Sequence, residues 1–207
     1  MKRAPILIVG LSIATLLAPA LALEMPKTPP GTNDLRRIAA GSYTVDPSHS
    51  QVTFTVNHLG FSTYRGTFGD ITGSMVIDPK TPAKAKVSVE IPMRGLVTTV
   101  PKLTEHLMNA DFFDAANHPT ARFESTSVRP AGKTARITGN LTIKGVTKPV
   151  ALDAVFIGAG TMMGKRTVGF DAKTVIKRSD FGVSYGVPLV PDAVPLEISV
   201  AFEKPED

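Results

Sequence analysis

The sequence predicts an all-β protein, folded as an antiparallel up-and-down β-barrel with one short helix near the barrel mouth. Long runs alternate apolar and polar residues, as at Val52, Phe54 and Val56, and this period of two places the apolar side chains on one face of a strand. Short polar turns separate the runs, whereas parallel neighbours would need long crossover connections. Several strands exceed about ten residues, which favours a tilted barrel around a ligand-sized interior. A β-sandwich is the alternative architecture.

The first 22 residues are predicted to be a secretory signal peptide. Lys2 and Arg3 form a positive start, residues 6–17 are an apolar run, and residues 20–22 read Ala-Leu-Ala, which suits cleavage after Ala22. The apolar run is about half of the length that a membrane-spanning helix needs, so a permanent N-terminal anchor is the weaker alternative.

The composition limits both the compartment in which the protein can reside and the kinds of molecule it can bind. The sequence has no cysteine, so neither a bacterial lipid anchor nor a disulfide framework can form, and the core alone must hold the fold. We expect the periplasm of a Gram-negative cell, with release to the outside as the alternative. The formal charge of +5 falls to +3 without Lys2 and Arg3. The other Lys and Arg residues are scattered singly, so nucleic-acid binding is not expected.

Residues 23–41 are predicted to be a Pro-rich mobile leader between the signal peptide and the barrel. Pro26, Pro29, Pro30 and Gly31 dominate it, and large apolar residues are few. A short helix around residues 35–39, packed on the barrel, is the alternative for its second half. The 207 residues fit one folded domain, which we place at residues 42–207.

Eight or nine strands are predicted from the alternating runs and from the turn-forming residues between them. The turns include Asp46-Pro47, Asp78-Pro79 and Lys144-Gly145. The predicted strands cover residues 43–46, 49–59, 64–78, 84–94, 119–129, 133–143, 146–158, 165–178 and 193–204. The clearest alternating apolar sets are Val87, Val89 and Ile91; Leu141 and Ile143; Val150, Leu152, Ala154 and Phe156; and Val194, Leu196, Ile198, Val200 and Phe202.

One helix interrupts the strands between Gly95 and Pro119. Leu103, Leu107 and Met108 recur at helical spacing, which predicts a short helix that starts near Lys102 or Thr104 and ends near Ala110. This helix must cross or line one end of the barrel. We expect Phe112, Phe113 and Phe123 to point to the same region.

The residues that could carry chemistry form no recognisable catalytic motif. The four histidines, at positions 49, 58, 106 and 118, contain no His-x-His or His-x-x-x-His pair, so no metal site and no other cofactor are expected. The sequence has no G-x-S-x-G nucleophile elbow, and no catalytic residue is predicted. His106 is expected to contact a polar part of a ligand or to form a structural hydrogen bond.

Residues 178–182 read Arg-Ser-Asp-Phe-Gly and close the strand that begins near Lys165. Asp180 can cap a turn and Gly182 can adopt a positive φ, which together favour a structural corner. The functional alternative places Arg178 near the barrel mouth as a partner for an anionic head group, because a guanidinium presents a fork of donors.

Seven segments, in order from about residue 42 to residue 204, together resemble the YceI-like family. These segments are 43–50 (Tyr-Thr-Val-Asp-Pro-Ser-His-Ser), 56–60 (Val-Asn-His-Leu-Gly), 65–68 (Arg-Gly-Thr-Phe), 106–114 (His-Leu-Met-Asn-Ala-Asp-Phe-Phe-Asp), 123–126 (Phe-Glu-Ser-Thr), 139–150 (Gly-Asn-Leu-Thr-Ile-Lys-Gly-Val-Thr-Lys-Pro-Val) and 178–182. The resemblance implies a lipocalin-like antiparallel barrel whose elongated apolar interior holds a polyisoprenoid or similar long-chain amphiphile. It also implies an exported bacterial protein with no established catalytic activity.

The leading hypothesis is therefore an exported binding protein that sequesters or carries a long apolar molecule, such as a polyprenyl lipid or an isoprenoid quinone. Transient membrane contact and a homodimer are compatible with it. The expected ligand-binding residues are Phe54, Val56, Phe68, Val89, Ile91, His106, Leu107, Phe112, Phe113, Phe123, Leu141, Ile143, Phe170 and Arg178.

Two other functions remain open from the sequence. An enzyme acting on a lipid would use His106 with a carboxylate as acid and base, within about 3 Å of each other or of one water molecule. A protein-interaction module would bind through an exposed strand edge or an exposed apolar patch, or as a homodimer.

Overall fold

Eight antiparallel barrel strands, three of which are broken into two labelled segments, close into a ring. Each barrel strand pairs with the barrel strands before and after it in the sequence. The computed structural model describes residues 26–206, so the predicted signal peptide at 1–22 lies outside the described residues. Within this range the elements are β1 Gly41–Val45, β2 Gln51–His58, β3 Ser62–Phe68, β4 Thr72–Ile77, β5 Lys86–Pro92, β6 Leu96–Val97, α1 Pro101–Met108, β7 Thr120–Ala131, β8 Thr134–Ile143, β9 Val146–Met162, β10 Lys165–Lys177 and β11 Ala193–Pro205. The predicted antiparallel up-and-down barrel is confirmed, and the β-sandwich alternative is wrong.

Three of the barrel strands are bent into two segments each. β1 and β2 are separated by a 3-10 turn at Pro47–His49, and β5 and β6 by a second one at Met93–Gly95. β3 and β4 form the strand between them, because β3 pairs with β2 and β6 while β4 pairs with β1 and β5. β11 closes the ring by pairing with β1 near its C-terminal end and with β2 near its N-terminal end.

The prediction of one continuous strand over residues 64–78 is therefore wrong. The chain breaks at Gly69 and Asp70, where Asp70 has a φ of 55° and the Gly69 N–H donates to the carbonyl oxygen of Gly95 at 2.9 Å. The break restores the inward direction of Ile71, which is buried. The two-residue strand β6 was not predicted, while the strands at 119–129, 133–143, 146–158, 165–178 and 193–204 are confirmed with small shifts at their ends.

Helix α1 lies at the end of the barrel where β6 stops after two residues. Pro101 occupies the first turn of the helix, a position at which its missing N–H costs no hydrogen bond. Leu107 is buried in the main hydrophobic core, and Leu103 packs against the same core. The predicted helix is confirmed, and none of the helices in residues 26–206 is long and apolar enough to cross a membrane.

Part of the predicted mobile leader is packed on the barrel. Thr32 exchanges both backbone hydrogen bonds with Ala159 of β9, at 3.0 Å each. A 3-10 helix follows at Leu35–Arg37, and Ile38 is buried in the main core. The short packed helix given as the alternative is present at Leu35–Arg37, and mobility of the leader remains a prediction.

Candidate ligand-binding cavity

Two apolar chambers lie inside the barrel, one at each end. The leader-side chamber, bordered by Leu35 and Ile38, has a volume of about 250 Å³. The helix-side chamber, bordered by Leu103 and Leu107, has a volume of about 440 Å³. Protein interiors are close-packed and normally contain few voids larger than a water molecule. The interior of this barrel is therefore hollow.

The two chambers share a waist of four side chains that line both of them. These are Val52, Ile91, Leu141 and Leu196, contributed by β2, β5, β8 and β11. All four belong to alternating runs whose apolar members face inward. Because the same four side chains line both chambers, the two chambers adjoin at the waist.

The lining of the chambers follows directly from strand alternation. Val150, Leu152, Ala154 and Phe156 of β9 all face the leader-side chamber, as the period of two predicts. A bulge between β9 and β10 keeps Phe156 opposite Phe170, and the centroids of these two rings lie 5.9 Å apart. Among the described residues, only Lys133, Thr134 and Thr174 add polar side chains to the lining of this chamber.

All the predicted ligand-binding residues line one or both chambers, although contact with a ligand remains a prediction. Three line the leader-side chamber, namely Val89, Phe123 and Phe170. Two belong to the waist, Ile91 and Leu141. The others line the helix-side chamber: Phe54, Val56, Phe68, His106, Leu107, Phe112, Phe113, Ile143 and Arg178.

The chain after α1 folds back and brings its two adjacent phenylalanines to the helix-side chamber. The Phe113 N–H donates to the carbonyl oxygen of Leu107 at 3.0 Å, and the Ala115 N–H donates to that of Met108 at 2.9 Å. The ring of Phe113 meets that of Phe68 edge-on, with the centroids 5.6 Å apart. Phe113 thereby closes this end of the core against β3.

An aromatic cluster of His106, Phe112 and Tyr185 joins α1 to the loop at residues 182–192. The His106 ring lies 5.1 Å from that of Phe112 and 5.4 Å from that of Tyr185, both nearly edge-on. The rings of Phe112 and Tyr185 lie 5.2 Å apart. All three side chains line the helix-side chamber, and Tyr185 remains half exposed to solvent. The cluster therefore forms one side of the chamber's opening.

His106 has a carboxylate neighbour at this opening. Its Nε2 lies 3.5 Å from Oδ2 of Asp111, and both side chains are substantially exposed. The enzyme hypothesis requires an acid and a base within about 3 Å of each other or of one water molecule, so the direct distance is longer than that requirement. A contact between His106 and a polar part of a ligand remains a prediction.

Arg178 does not offer its guanidinium to the chamber, although its side chain lines it. Its Nε donates to the carbonyl oxygen of Pro191 at 3.0 Å, and its Nη2 donates to that of Val190 at 2.9 Å. Its Nη1 donates to the carbonyl oxygens of Val183 and Tyr185, at 3.0 and 2.8 Å. These four bonds support the structural corner, and a contact between Arg178 and a head group remains a prediction.

Burial accounts for the electrostatics of this corner. It lowers the pKa of the Arg178 guanidinium, while the charge of Asp192 acts in the opposite direction. Asp192 also accepts two hydrogen bonds from Ser179, at 2.8 Å from its N–H and at 2.7 Å from its hydroxyl. Arg178 and Asp192 together hold both ends of the loop that carries Tyr185.

Several residues at the opening were not predicted. His58, Ser62 and Tyr64 of the β2–β3 hairpin and Val183, Tyr185, Gly186 and Val190 of the 182–192 loop all line the helix-side chamber. The loop has no alternation, so strand periodicity could not assign it. The absence of any charged residue from 181 to 191 is the sequence signal that could have singled it out.

The histidines of the described chain do not form a metal centre. Between residues 26 and 206 no group of three or more His, Cys, Asp or Glu side chains could hold a metal ion. His49 instead pairs with Asp46, and Nε2 of His118 lies 4.0 Å from Oδ2 of Asp114.

Comparisons with known proteins agree with the predicted family and barrel. The sequence profile described as the YceI-like domain matches residues 43–202. The protein named "Protein YceI" from Escherichia coli O157:H7 is 41% identical over 164 residues, which cover 78% of this chain and 86% of the relative.

Two solved structures share the architecture. The crystal structure of BcnA from Burkholderia cenocepacia matches with a TM-score of 0.67 at 26% identity, and the match covers 76% of this chain and 98% of BcnA. A polyisoprenoid binding domain from Saccharophagus degradans matches with a TM-score of 0.62, covering 79% of this chain and 98% of that domain. At 13% identity, the second match concerns the fold alone.

Proposed function

Because the chain belongs to the YceI-like family, we propose that it sequesters or carries a long-chain apolar amphiphile, such as a polyisoprenoid or an isoprenoid quinone. The single observation that carries the proposal is the pair of apolar chambers that adjoin at the waist of Val52, Ile91, Leu141 and Leu196. A chain of isoprene units is long, apolar and narrow, so two adjoining apolar voids within one barrel suit it better than one round pocket would. A domain of the same fold from Saccharophagus degradans is named a polyisoprenoid binding domain.

The size of the void suits such a ligand. The helix-side chamber alone, at about 440 Å³, falls within the range of about 300–1,000 Å³ typical of small-molecule sites. An apolar cavity that holds no ligand lacks dispersion contacts on one side of its lining and weakens the fold. A long alkyl or prenyl chain would restore those contacts, so binding should stabilise the protein.

Binding alone can supply a useful affinity. At about −0.3 kcal/mol per non-hydrogen atom, a forty-carbon prenyl chain reaches about −12 kcal/mol, which is a nanomolar dissociation constant. This estimate requires no covalent step. The proposed role is therefore that of a binding protein, in which the apolar lining provides the affinity.

We place this function outside the cytoplasm. The positive start, the apolar run and the Ala-Leu-Ala sequence at residues 20–22 support export and cleavage after Ala22. A prenyl chain cannot cross the aqueous periplasm unaided, and a soluble barrel would shield it from water. The mass of the protein recovered from a periplasmic extract tests this step, since a mature chain beginning at Leu23 is expected and an intact Met1 would contradict export.

The decisive experiment is recovery of the ligand. The protein is purified without detergent and extracted with organic solvent, and the extract is analysed by mass spectrometry. We expect a prenyl lipid or quinone at a reproducible molar ratio to protein. Protein that is repeatedly empty, and that takes up no polyprenol when mixed with it, would contradict the proposal.

A matched pair of variants ties the recovered ligand to the chamber. Ala154 lines the leader-side chamber and is buried, while Val155 beside it in β9 is exposed on the outer face. Ala154→Phe should displace about six ligand atoms and weaken binding about tenfold or more. Val155→Phe should bind as the wild type does, because its ring points to solvent. Equal binding by both variants would place the ligand elsewhere.

A further inference from the structure

Large apolar side chains are exposed on the two loops that border the helix-side opening. On the β2–β3 turn, Phe61 is 88% exposed and Leu59 is 43% exposed. On the 182–192 loop, Leu189 is 72% exposed and Tyr185 is 53% exposed, with Val187 also exposed. We call these five residues the apolar rim. Contiguous exposed apolar surface on a soluble protein usually marks an interaction site.

The rim is continuous with the chamber. His58 and Ser62, on either side of the β2–β3 turn, line the helix-side chamber. Gly186 and Val190, within the other loop, line it as well. Each rim residue is therefore within a few residues of the opening, and whatever covers the rim also faces the chamber.

The β2–β3 turn does not need apolar residues in order to form. Leu59 has a φ of 55° and Gly60 a φ of 80°, the positive values of the two central residues of a type I′ turn, and the Phe61 N–H donates across this turn to the carbonyl oxygen of His58 at 3.0 Å. Asn or Asp is the residue preferred before Gly in such turns, and a leucine in this region is unfavourable. The exposed Leu59 side chain therefore serves no purpose in the folding of the turn.

The rim residues themselves carry no charge. Residues 59–64 and 181–191 contain no Asp, Glu, Lys or Arg, and charged residues resume at Arg65 and at Asp192. Of the charged side chains beside the rim, Arg178 and Lys144 donate to backbone carbonyl groups, and Asp111 lies beside His106. An uncharged apolar surface with a tyrosine among its residues complements the boundary between head groups and acyl chains of a bilayer, where tyrosine is enriched.

We infer that the protein docks on a lipid bilayer through the apolar rim, with the helix-side opening facing the membrane. This inference rests on the proposed function, because the bilayer is where a prenyl lipid resides. Docking in this orientation lets the ligand pass between bilayer and chamber without exposure of its chain to water. The aromatic cluster of His106, Phe112 and Tyr185 then borders the route that the ligand takes.

Vesicle flotation with phosphatidylcholine vesicles tests the inference on the full mature protein. The double variant Phe61→Ser/Leu189→Ser should lose at least about tenfold in its partition to vesicles, because each side chain would bury substantial apolar area in the bilayer. Met163→Ser is the matched control. Met163 is 75% exposed but lies in the β9–β10 turn, at the opposite end of β10 from the rim, and this variant should float as the wild type does.

Three results would overturn docking through the rim. The first is an equal loss of flotation in the Met163→Ser control. The second is binding only to vesicles that contain phosphatidylglycerol, with release by salt, which would place the contact on charged surface. The third is a change of the protein from dimer to monomer in the rim variant without vesicles, which would make a second copy of the chain the partner of the rim.

A separate loading assay distinguishes failure of docking from failure of the proposed function. Polyprenol is presented in detergent micelles, and the amount retained after detergent removal is measured by extraction. Rim variants that load normally but do not float support the inference. Wild-type protein that floats through the rim but retains no polyprenol would refute the carrier function while docking stands. Wild-type protein that loads polyprenol but does not float would refute docking alone.

Discussion

Gly66 of β3 lies beneath the ring of Phe54, its cross-strand partner on β2. A Cβ atom added at Gly66 would lie 2.4 Å from Cζ of Phe54 and 2.5 Å from its Cε1. The ring of Phe54 also lies 5.9 Å from that of Phe68, centroid to centroid. The missing side chain therefore lets the Phe54 ring lie flat against the barrel wall and keeps the helix-side chamber open.

Gly66→Ala should push the Phe54 ring into the helix-side chamber. We expect the free energy of unfolding to fall by about 1–3 kcal/mol, the usual cost of overpacking, and retention of polyprenol to fall with it. Chemical denaturation and the extraction assay measure the two effects. Gly31→Ala is the control, since nothing lies within 4 Å of a Cβ at Gly31, and a comparable loss in that variant would contradict the argument.

Arg178→Met should destabilise the protein strongly. The guanidinium donates to four backbone carbonyl oxygens from a buried position, and each buried acceptor left without a donor costs about 1–3 kcal/mol. We expect a loss of about 3 kcal/mol or more in the free energy of unfolding, measured by denaturant titration. Exposure of the 182–192 loop to proteolysis should increase as well.

The matched control for this change is Arg136→Met. Arg136 forms an ion pair with Asp153 in which both side chains are more than half exposed, and such surface pairs contribute about 0–1 kcal/mol. If the free energy of unfolding fell equally in the two arginine variants, the four hydrogen bonds of Arg178 to carbonyl groups would contribute no more stability than a surface ion pair.

The inward faces of the strands could be predicted from the sequence because burial and the period of two agree along each run. Phe156 on β9 and Leu196 on β11 both line the chambers, and Leu103 and Leu107 marked α1 by helical spacing. The break between β3 and β4 violated that period. Phe68 and Ile71 are both buried although they are three residues apart, because the chain breaks between them at Gly69 and Asp70, where Asp70 has a positive φ.

The opening of the helix-side chamber could not be predicted by the same means. The partners of Arg178 are carbonyl groups five to thirteen residues further along the chain, and backbone acceptors leave no mark in a sequence. Tyr185 lies in a loop without periodicity, and its contacts with His106 and Phe112 depend on that loop's path. The sequence showed a donor-rich side chain near a cavity, but it could not show that four of the donated bonds go to the backbone of the neighbouring loop.

Ile38→Ala should open the leader-side end of the barrel. Ile38 is 7% exposed and lines the leader-side chamber beside Leu35. Its truncation should lower the free energy of unfolding by about 2 kcal/mol or more, the lower part of the range for buried isoleucine. Ile157→Ala is the control, because Ile157 is about half exposed on the outer face of β9. A leader that contributes nothing to the core would give equal, small effects in both variants.

The pair of His49 and Asp46 should make part of the stability depend on pH. The hydrogen bond and charge of Asp46 raise the pKa of His49 above its usual value of 6.5. Burial alone would raise the pKa of Asp46, but the hydrogen bonds from His49 and from the Ser48 N–H outweigh it and lower that pKa below 3.8. The histidine's contribution is thus complete below about pH 6.5 and lost as the pH rises through its raised pKa. The carboxylate's contribution is complete above about pH 4 and lost as the pH falls through its lowered pKa.

Denaturant titrations at pH 5.5 and pH 9 check this window. The wild type should be more stable than His49→Gln at pH 5.5, and the difference should vanish at pH 9, because the neutral imidazole no longer attracts the carboxylate. His58→Gln leaves the pair intact and should keep the pH dependence of the wild type. A difference between wild type and His49→Gln that is the same at both pH values would mean that the ring contributes by packing and not by its charge.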